Sequence, residues 1–535
     1  MGCTSWRGRG LGDCSMNRLI NTTFLRFSKR AETDANERLV QTFVDSGALA
    51  TLLLTRDHQI IFGRRGTGKT HAFAYLASTA ASHDYVAYVD MRQLGSSGGI
   101  YADASISLPE RATRLLVDAL VAIHDKLLSA ILADESANLA TAASPLDALA
   151  EAATQIKVVG TTATVESRKS GTRTEIADSA NAALTASSLP TVSLGSNRTQ
   201  VSGLDVEATV SHSGSARFTV HFGSVGGSMR DFLASIAPRR VWILLDEWSA
   251  VPADLQPYLA DLFRRALLPV NGLTLKIAAI EQRSHFQLSS SFGDYIGIEL
   301  GADASADLNL DDYMVFDNNA DRATEFFQEL VFRHYRACEV ETDGAPKFQT
   351  SLELRKSAFT EIRAFQEFVR AAEGVPRDAI NILSLAAQKA DARAIAIHDI
   401  RAAAKAWYQR DKEKAVSANS EATSLLHKLI DKVIAHRQAR AFLFSAAARS
   451  ELIDQLFDAR VLHILKKNIS SPESPGARYN VYKIDYGCYV DLLTTGKGPA
   501  SLFGPEGEFD EMTQAVPPDD YRAIRRAILE ASDLA

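Results

Sequence analysis

Gly63-Arg64-Arg65-Gly66-Thr67-Gly68-Lys69-Thr70 has the residue types and spacing of a phosphate-binding loop. Glycines at these positions let backbone N–H groups turn inward around the α- and β-phosphates, and the N-terminus of a following helix adds positive potential. Lys69 is then expected to reach the β- and γ-phosphates, and the Thr70 hydroxyl to ligate Mg²⁺. The residues from Gly63 to Thr70 are the expected cradle for ATP with Mg²⁺. Far along the chain, Asp246-Glu247 ends the apolar run Arg240 to Leu245. Asp246 is expected to share the Mg²⁺ shell with Thr70, at the strand end where open parallel sheets bind ligands. Glu247 beside it can polarise an attacking water as general base, the chemistry that separates a hydrolysing ATPase from a mere binder.

These groups need a sheet to hold them. His58 to Phe62 reads as a strand running into the glycine loop, and His71 to Ala81 as the helix after it, which is the order the motif requires. A helix is expected over residues 38 to 54, with Leu39, Phe43, Leu49 and Leu52 to Leu54 on its apolar face. Tyr85 to Asp90 is a second strand and Arg111 to Leu132 a helix. Leu273 to Ile280 is a further apolar strand, and Tyr295 to Leu300 a fifth, shorter one. Alternating strands and helices predict an α/β fold, a P-loop NTPase with a five-stranded parallel sheet.

The chain has 535 residues, 46% hydrophobic and 23% charged, enough for a large core and roughly three domains. A formal net charge of −7 argues against wholesale wrapping of nucleic acid. The four cysteines, Cys3, Cys14, Cys338 and Cys488, form no Cys-x-x-Cys pair, so neither a disulfide framework nor a zinc knuckle is indicated. A cytoplasmic setting without membrane contact is expected, since no apolar run approaches the ~20 residues that span a bilayer. Met1-Gly2-Cys3 lacks the Ser or Thr that acylation wants at the position of Trp6. Residues 1 to 37 read as a disordered leader. From Ala102 to Arg217 there is no Phe, Tyr or Trp, and from about Ser136 the chain is rich in Ala, Ser, Thr and Gly. Residues 136 to 215 therefore read as an insertion that contributes little core, with Lys157 to Glu166 and Ala216 to Phe222 pairing as a β-ribbon at its base.

After an ATPase core over residues 38 to 310, the pattern turns helical at Asp321 to Ala337, Lys356 to Ala372 and Asp378 to Ala390, an all-α lid over residues 311 to 415. Further helices over residues 421 to 465 and a strand at Tyr479 to Ile484 suggest a C-terminal winged-helix-like domain over residues 416 to 497. A linker and a last helix, Pro517 to Ala531, complete residues 498 to 535.

Together the P-loop, the strand ending at Asp90, the Asp246-Glu247 pair, the polar Gln282-Arg283 and Gly374-Val375-Pro376-Arg377-Asp378-Ala379-Ile380 resemble AAA+ ATPases. The likeness is to their origin-recognition and replication-initiator clade, related in architecture to the signal-transducing (STAND) ATPases, in a bacterial-type form. It spans roughly residues 38 to 490 without the insertion. In that clade a polar or basic residue after the fourth strand senses the γ-phosphate, and an arginine opening a lid helix closes on the nucleotide. The resemblance implies those roles for Gln282 or Arg283 and for Arg377. It also departs from the pattern, because Ser284 to Tyr295 contains no arginine to serve as an intermolecular finger, leaving Arg264 and Arg265 as substitutes.

Winged helices in this clade bind duplex DNA. Residues 421 to 497 hold 11 Lys/Arg against 8 Asp/Glu, and Arg437, Arg440, Arg449, Lys466, Lys467 and Arg478 are candidates for phosphate contacts. A partner protein fits the mild charge as well. The expected function is thus an ATP-driven switch acting on duplex DNA, on an effector protein or through a homo-oligomer. The alternatives are a nuclease-type effector enzyme with a regulatory ATPase domain and a passive nucleotide-binding scaffold. Arg393 and His398 have the spacing of some ribonuclease pairs, and His71 reads as a helix-face residue.

Overall fold

The structure is a computed structural model that describes residues 11–31, 34–46, 49–94, 101, 103, 105–154, 156–167, 207–218, 220–289, 295–313, 320–436, 439–448, 450–471, 474–495 and 528–529. The central strands are β1 (Gln59–Phe62), β2 (Tyr85–Asp90), β5 (Val241–Asp246), β6 (Leu273–Ala279) and β9 (Ser305–Asn309). They form one sheet in the order β2-β5-β6-β1-β9, and every neighbour pair is parallel. All residues of β1, β5 and β6 are buried, as strands covered by helices on both faces must be. Alternation splits them cleanly. Ile60, Ile243 and Ile277 face the helix Leu108–Leu132, whereas Ile61, Leu244 and Ala278 face the helix Lys69–Ala80.

The fifth strand is not the one the sequence suggested. Tyr295–Gly297 (β8) instead pairs antiparallel with Gln287–Ser289 (β7) in a small separate sheet. Gly297 is at φ 119°, where a Cβ would lie 2.0 Å from the Phe286 carbonyl oxygen. The true edge strand, Ser-Ala-Asp-Leu-Asn, is too polar to be conspicuous, because an edge position needs only Leu308 inside. Ser305 N–H opens the pairing by donating to the His58 carbonyl at 2.9 Å.

Other expectations also need correction. The single helix over residues 38 to 54 is two, Asn36–Thr42 and Leu49–Leu53, because the chain extends at Phe43 so that its ring can stack on Tyr75 at 4.1 Å. Lys356 to Ala372 likewise breaks into Ser351–Ala358 and Ile362–Ala372. At that break Phe359 bridges to Ile395 and Thr360 N–H bonds the Ile395 carbonyl. The stretch from 136 is not core-poor at its start. Leu146 and Leu149 of the helix Leu139–Ala153 are wholly buried against the sheet's helices, since leucine and alanine can fill a core without aromatic rings. Beyond it a ribbon does form, Ile156–Ser167 (β3) with Glu207–Phe218 (β4), but Phe222 begins the helix Phe222–Ser235. Residues 168–206 lie outside the described residues.

Nor are all of residues 1 to 37 a leader. The helix Leu11–Leu25 buries Ile20 and Phe24 in the same core as Phe327 and Leu383, and Asn21 Nδ2 donates to the Asp391 and Arg393 carbonyls. This second core runs on through the helices Ala320–Glu339 and Pro376–Ala390 into the C-terminal region. There, Ala441–Ser445 (β10), Leu462–Ser471 (β11), Ser474–Ile484 (β12) and Ile528–Leu529 (β13) form a sheet in the order β11-β12-β10-β13. Two strands therefore stand where residues 421 to 465 were expected to be helical, since Ala-Phe-Leu-Phe-Ser is a short apolar run that periodicity cannot assign. Of the expected helix Pro517 to Ala531 only Ile528 and Leu529 are described, as a strand. Among the described residues, no helix is long and apolar enough to cross a membrane.

Candidate functional site

The loop Gly63 to Thr70 leaves the C-terminal end of β1 and enters the helix Lys69–Ala80. Gly66 and Gly68 have φ of 89° and 98°, conformations that side chains rarely adopt. Lys69 is buried, and its Nζ donates to the Gly63 and Arg64 carbonyls at 2.7 and 3.1 Å. Burial lowers its pKa, against the opposing charges of Glu247, Asp246 and Asp311.

Asp246 lies at the end of β5, fully buried, with three donors on its carboxylate. Thr70 Oγ1 and the Tyr88 hydroxyl bond Oδ2 at 2.7 and 2.8 Å, and the Glu247 N–H bonds Oδ1 at 2.8 Å. Burial, then the Asp246 charge, raises the Tyr88 pKa, which keeps the phenol a donor. Glu247 has φ 56°, an unusual backbone for a side-chain-bearing residue, and Arg92 Nη1 lies 4.0 Å from its carboxylate. Arg92 also pairs with Asp90 at 2.6 Å.

A cavity of about 310 Å³ opens over this arrangement. Arg65, Gly66, Lys69, Thr70 and Glu247 line one side; Pro376, Arg377 and Ile380 line another. Arg377 N–H donates to the Gly66 carbonyl at 3.2 Å, so the first turn of Pro376–Ala390 rests on the loop. A third wall comes from Ser28 to Ala31 and Asp34 with His71 and His334. His71 bonds the Leu39 carbonyl, consistent with a helix-face residue that borders the cavity. Burial drives His334 down to about 3, so it is neutral there.

Two of the expected site residues point elsewhere. Arg64 lies in the loop with its N–H donating to Asp311 Oδ2 at 2.9 Å, and its side chain is 3% exposed and turned into the C-terminal region. It pairs with Asp311 at 2.8 Å, donates from Nη1 to the Leu462 carbonyl at 3.2 Å and to His463 Nδ1 at 2.8 Å, and lies 5.0 Å above the Phe457 ring. Guanidinium only donates, so His463 Nδ1 accepts and its Nε2–H donates to Asp485 Oδ1 at 3.0 Å. Burial, then Arg64, holds that histidine well below its ordinary pKa. Arg283 follows β6, the strand between β1 and β5, and Gln282 stands beside it in the same short turn. The Arg283 guanidinium pairs with Asp458 on the helix Glu451–Asp458.

Behind this seam lies a buried ion cluster. Lys412 Nζ is held by Asp378 at 2.8 Å and Asp485 at 2.6 Å, and Arg460 binds Asp378 and Asp411. Of the C-terminal basic residues, Arg440 is buried against Glu373 and Lys467 Nζ meets Glu281 Oε2 at 2.5 Å. Arg478 is exposed and donates to the Asn468 carbonyl, while Arg437 and Arg449 lie outside the described residues. Arg264 and Arg265 both pair with Asp261, and Arg393 forms a two-pronged pair with Asp399, whose Oδ1 also lies 3.3 Å from His398 Nε2.

Sequence reasoning missed Tyr88, Asp311, Asp458, His463 and the wall of Ser28 to Ala31 with Asp34. Tyr88 was legible in principle, as a polar-tipped residue two before the end of a strand that runs beside Asp246. Asp311, Asp458 and His463 meet the loop across more than 200 residues of chain, where no local pattern marks them; the wall residues stand only about 30 residues ahead of the loop, in a stretch that reads as a leader.

A family model described as ORC-CDC6-like matches residues 27–155, the stretch that holds the glycine loop, β2 and the wall residues Ser28 to Ala31 and Asp34. Among solved structures, the chain is similar to the Orc1 protein of Aeropyrum pernix in complex with DNA, at 12% identity, covering 89% of this chain and 96% of that one, with a TM-score of 0.30. It is also similar to Cdc6p from Pyrobaculum aerophilum, at 11% identity, covering 89% and 97%, with the same TM-score. No curated protein matches.

Proposed function

We propose that the chain binds and hydrolyses Mg²⁺-ATP and that the bound nucleotide sets the relation between its ATPase sheet and its C-terminal region. The observation that carries this reading is the 2.7 Å bond from Thr70 to Asp246, which brings the metal-ligand hydroxyl of the loop to the carboxylate of a different strand. The donor set fits the ligand. Lys69 bonds its own loop's carbonyls with N–H groups that suit phosphate oxygens, and one hydroxyl with one carboxylate is what Mg²⁺ takes from protein when phosphates and water complete its shell. The metal would neutralise charge on the phosphates. Lys69 and the glycine-loop N–H groups hold the triphosphate, Arg377 approaches from the lid side, and Glu247 takes the proton of the attacking water. Arg283, and Gln282 beside it, fit a γ-phosphate sensor.

Lys69→Ala should abolish binding of a fluorescent ATP analogue. Glu247→Gln should bind it normally and release no phosphate, because the amide still orients water but accepts no proton. Equal affinity in Lys69→Ala, or undiminished turnover in Glu247→Gln, would sink the respective assignment.

The helix–strand–helix–hairpin order of residues 420–484 suits a winged helix that engages duplex DNA, the output first expected. A partner protein is the second reading, favoured by the internal engagement of Arg440 and Lys467. Gel-shift titration at low salt, with and without nucleotide, decides between them.

A further inference from the structure

The pair between Arg283 and Asp458 joins the turn after β6 to the helix Glu451–Asp458. The guanidinium is 44% exposed at the rim of the sheet, whereas the carboxylate is 8% exposed. Asp458 Oδ1 is buried and receives no hydrogen bond among the described residues. A buried carboxylate with one oxygen unserved carries desolvation cost without full return, so the contact is poised for exchange. Burial raises the Asp458 pKa despite the attraction of Arg283, Arg65 and Lys69, which places this carboxylate in the field of the phosphate-binding cations themselves. Immediately around it, Phe457, Leu462 and His463 grip Arg64 of the loop.

We propose that Asp458 holds on Arg283 the place that the terminal phosphate of ATP takes, so that triphosphate and C-terminal region compete for one guanidinium. The inference rests on the reading of the loop as an ATP site and deepens it by naming its regulation. Arg283 pairs through Nε with Asp458 and is not among the residues that line the cavity, so the side chain must leave Asp458 to meet a phosphate there; a triphosphate in the cradle adds repulsion toward a carboxylate that Arg65 and Lys69 also attract. ADP lacks the competing group. The coupling is reciprocal: ATP loosens the grip of residues 457–463, and anything that draws that segment away raises affinity for ATP over ADP.

The test uses the full chain and two probes, ADP and a slowly hydrolysed ATP analogue, each with Mg²⁺. Asp458→Asn keeps the shape and removes the charge; it should tighten the ATP analogue by about tenfold and leave ADP within about twofold. Arg283→Ala should erase that gain in the double variant. Asp458→Glu, which keeps the charge, should restore wild-type discrimination and guards against a merely misfolded Asn variant. Independently of turnover, hydrogen exchange over residues 451–471 of the wild type should rise with the ATP analogue and not with ADP. Equal changes for both nucleotides, or none for either, in affinity and exchange would overturn the competition alone. Wild-type protein that binds neither nucleotide would overturn the ATP-site reading and the competition with it.

Discussion

Arg64→Ala should uncouple the phosphate loop from the C-terminal region at a cost that the contacts define. The side chain is buried, and its removal strands several groups at once: Asp311 Oδ1, the Leu462 and Glu373 carbonyls and His463 Nδ1. Truncating one member of a buried ion pair typically costs about 3–5 kcal/mol, because the partner charge stays behind without compensation. The loss of packing on Phe457 acts in the same direction. Global melting is the wrong assay, since a chain with two cores need not unfold in one step. The right one is native-state hydrogen exchange of β11 and the helix Glu451–Asp458, where the free energy of local opening should fall by about 3–5 kcal/mol. Arg64→Lys should recover less than half of this, because an ammonium cannot reproduce the planar fork that serves four acceptors. Opening energies unchanged within about 1 kcal/mol in Arg64→Ala would refute the assignment and return Arg64 to the phosphates.

Tyr88→Phe removes one of two hydroxyl donors on Asp246 Oδ2, so the Mg²⁺ concentration for half-maximal turnover should rise several-fold; an unaltered Mg²⁺ titration would refute a positioning role. Leu146→Ala, at a fully buried site, should destabilise the ATPase core by about 2–5 kcal/mol in urea denaturation, whereas replacing residues 168–206 by a short linker should leave ATP binding intact. A stability change below about 0.5 kcal/mol in Leu146→Ala would restore the view that residues from 136 onward are dispensable. Lys276 is buried between β1 and β5, and burial lowers its pKa to about 8, below its unfolded value, so the unfolded chain binds more protons between pH 8 and 10. Stability from this group therefore rises with pH across that window, and Lys276→Met should flatten the rise in melting temperature; identical pH slopes in both proteins would contradict it.

How much of this was readable beforehand depends on chain distance. The loop, its strand and helix, and Asp246-Glu247 follow from local pattern because glycine conformation and strand burial are decided within a few residues. Val241 to Leu245 could hardly be anything but a central strand. By contrast, β9 escaped notice because an edge strand is half polar, and Tyr295–Gly297 drew attention because two large apolar residues in a row imitate one. The helix Leu139–Ala153 was dismissed on composition, although its leucines fill the core. Position in the sequence singles out Arg64 and Arg283, yet the acid each meets, Asp311 for the one and Asp458 for the other, lies more than 170 residues further along the chain and is set by how those segments fold back.

The ion cluster around Lys412 bears on how the molecule can be divided. Asp378 belongs to the helix whose first turn touches the P-loop, Lys412 to the end of the helical layer, and Asp485 to the C-terminal sheet, so the pairing ties together regions that sequence assigns to separate domains. One hydrophobic core also runs from Ile20 through Phe327 and Leu383 to Phe442 and Ile484. A fragment ending near residue 415 would leave Lys412 and Asp378 without Asp485 and expose the inner face of that core. The helical layer and the C-terminal sheet should accordingly be produced, melted and moved as a single body. The nucleotide-driven movement proposed above would then have its plane between that body and the five-stranded sheet, crossed by Arg64 and Arg283.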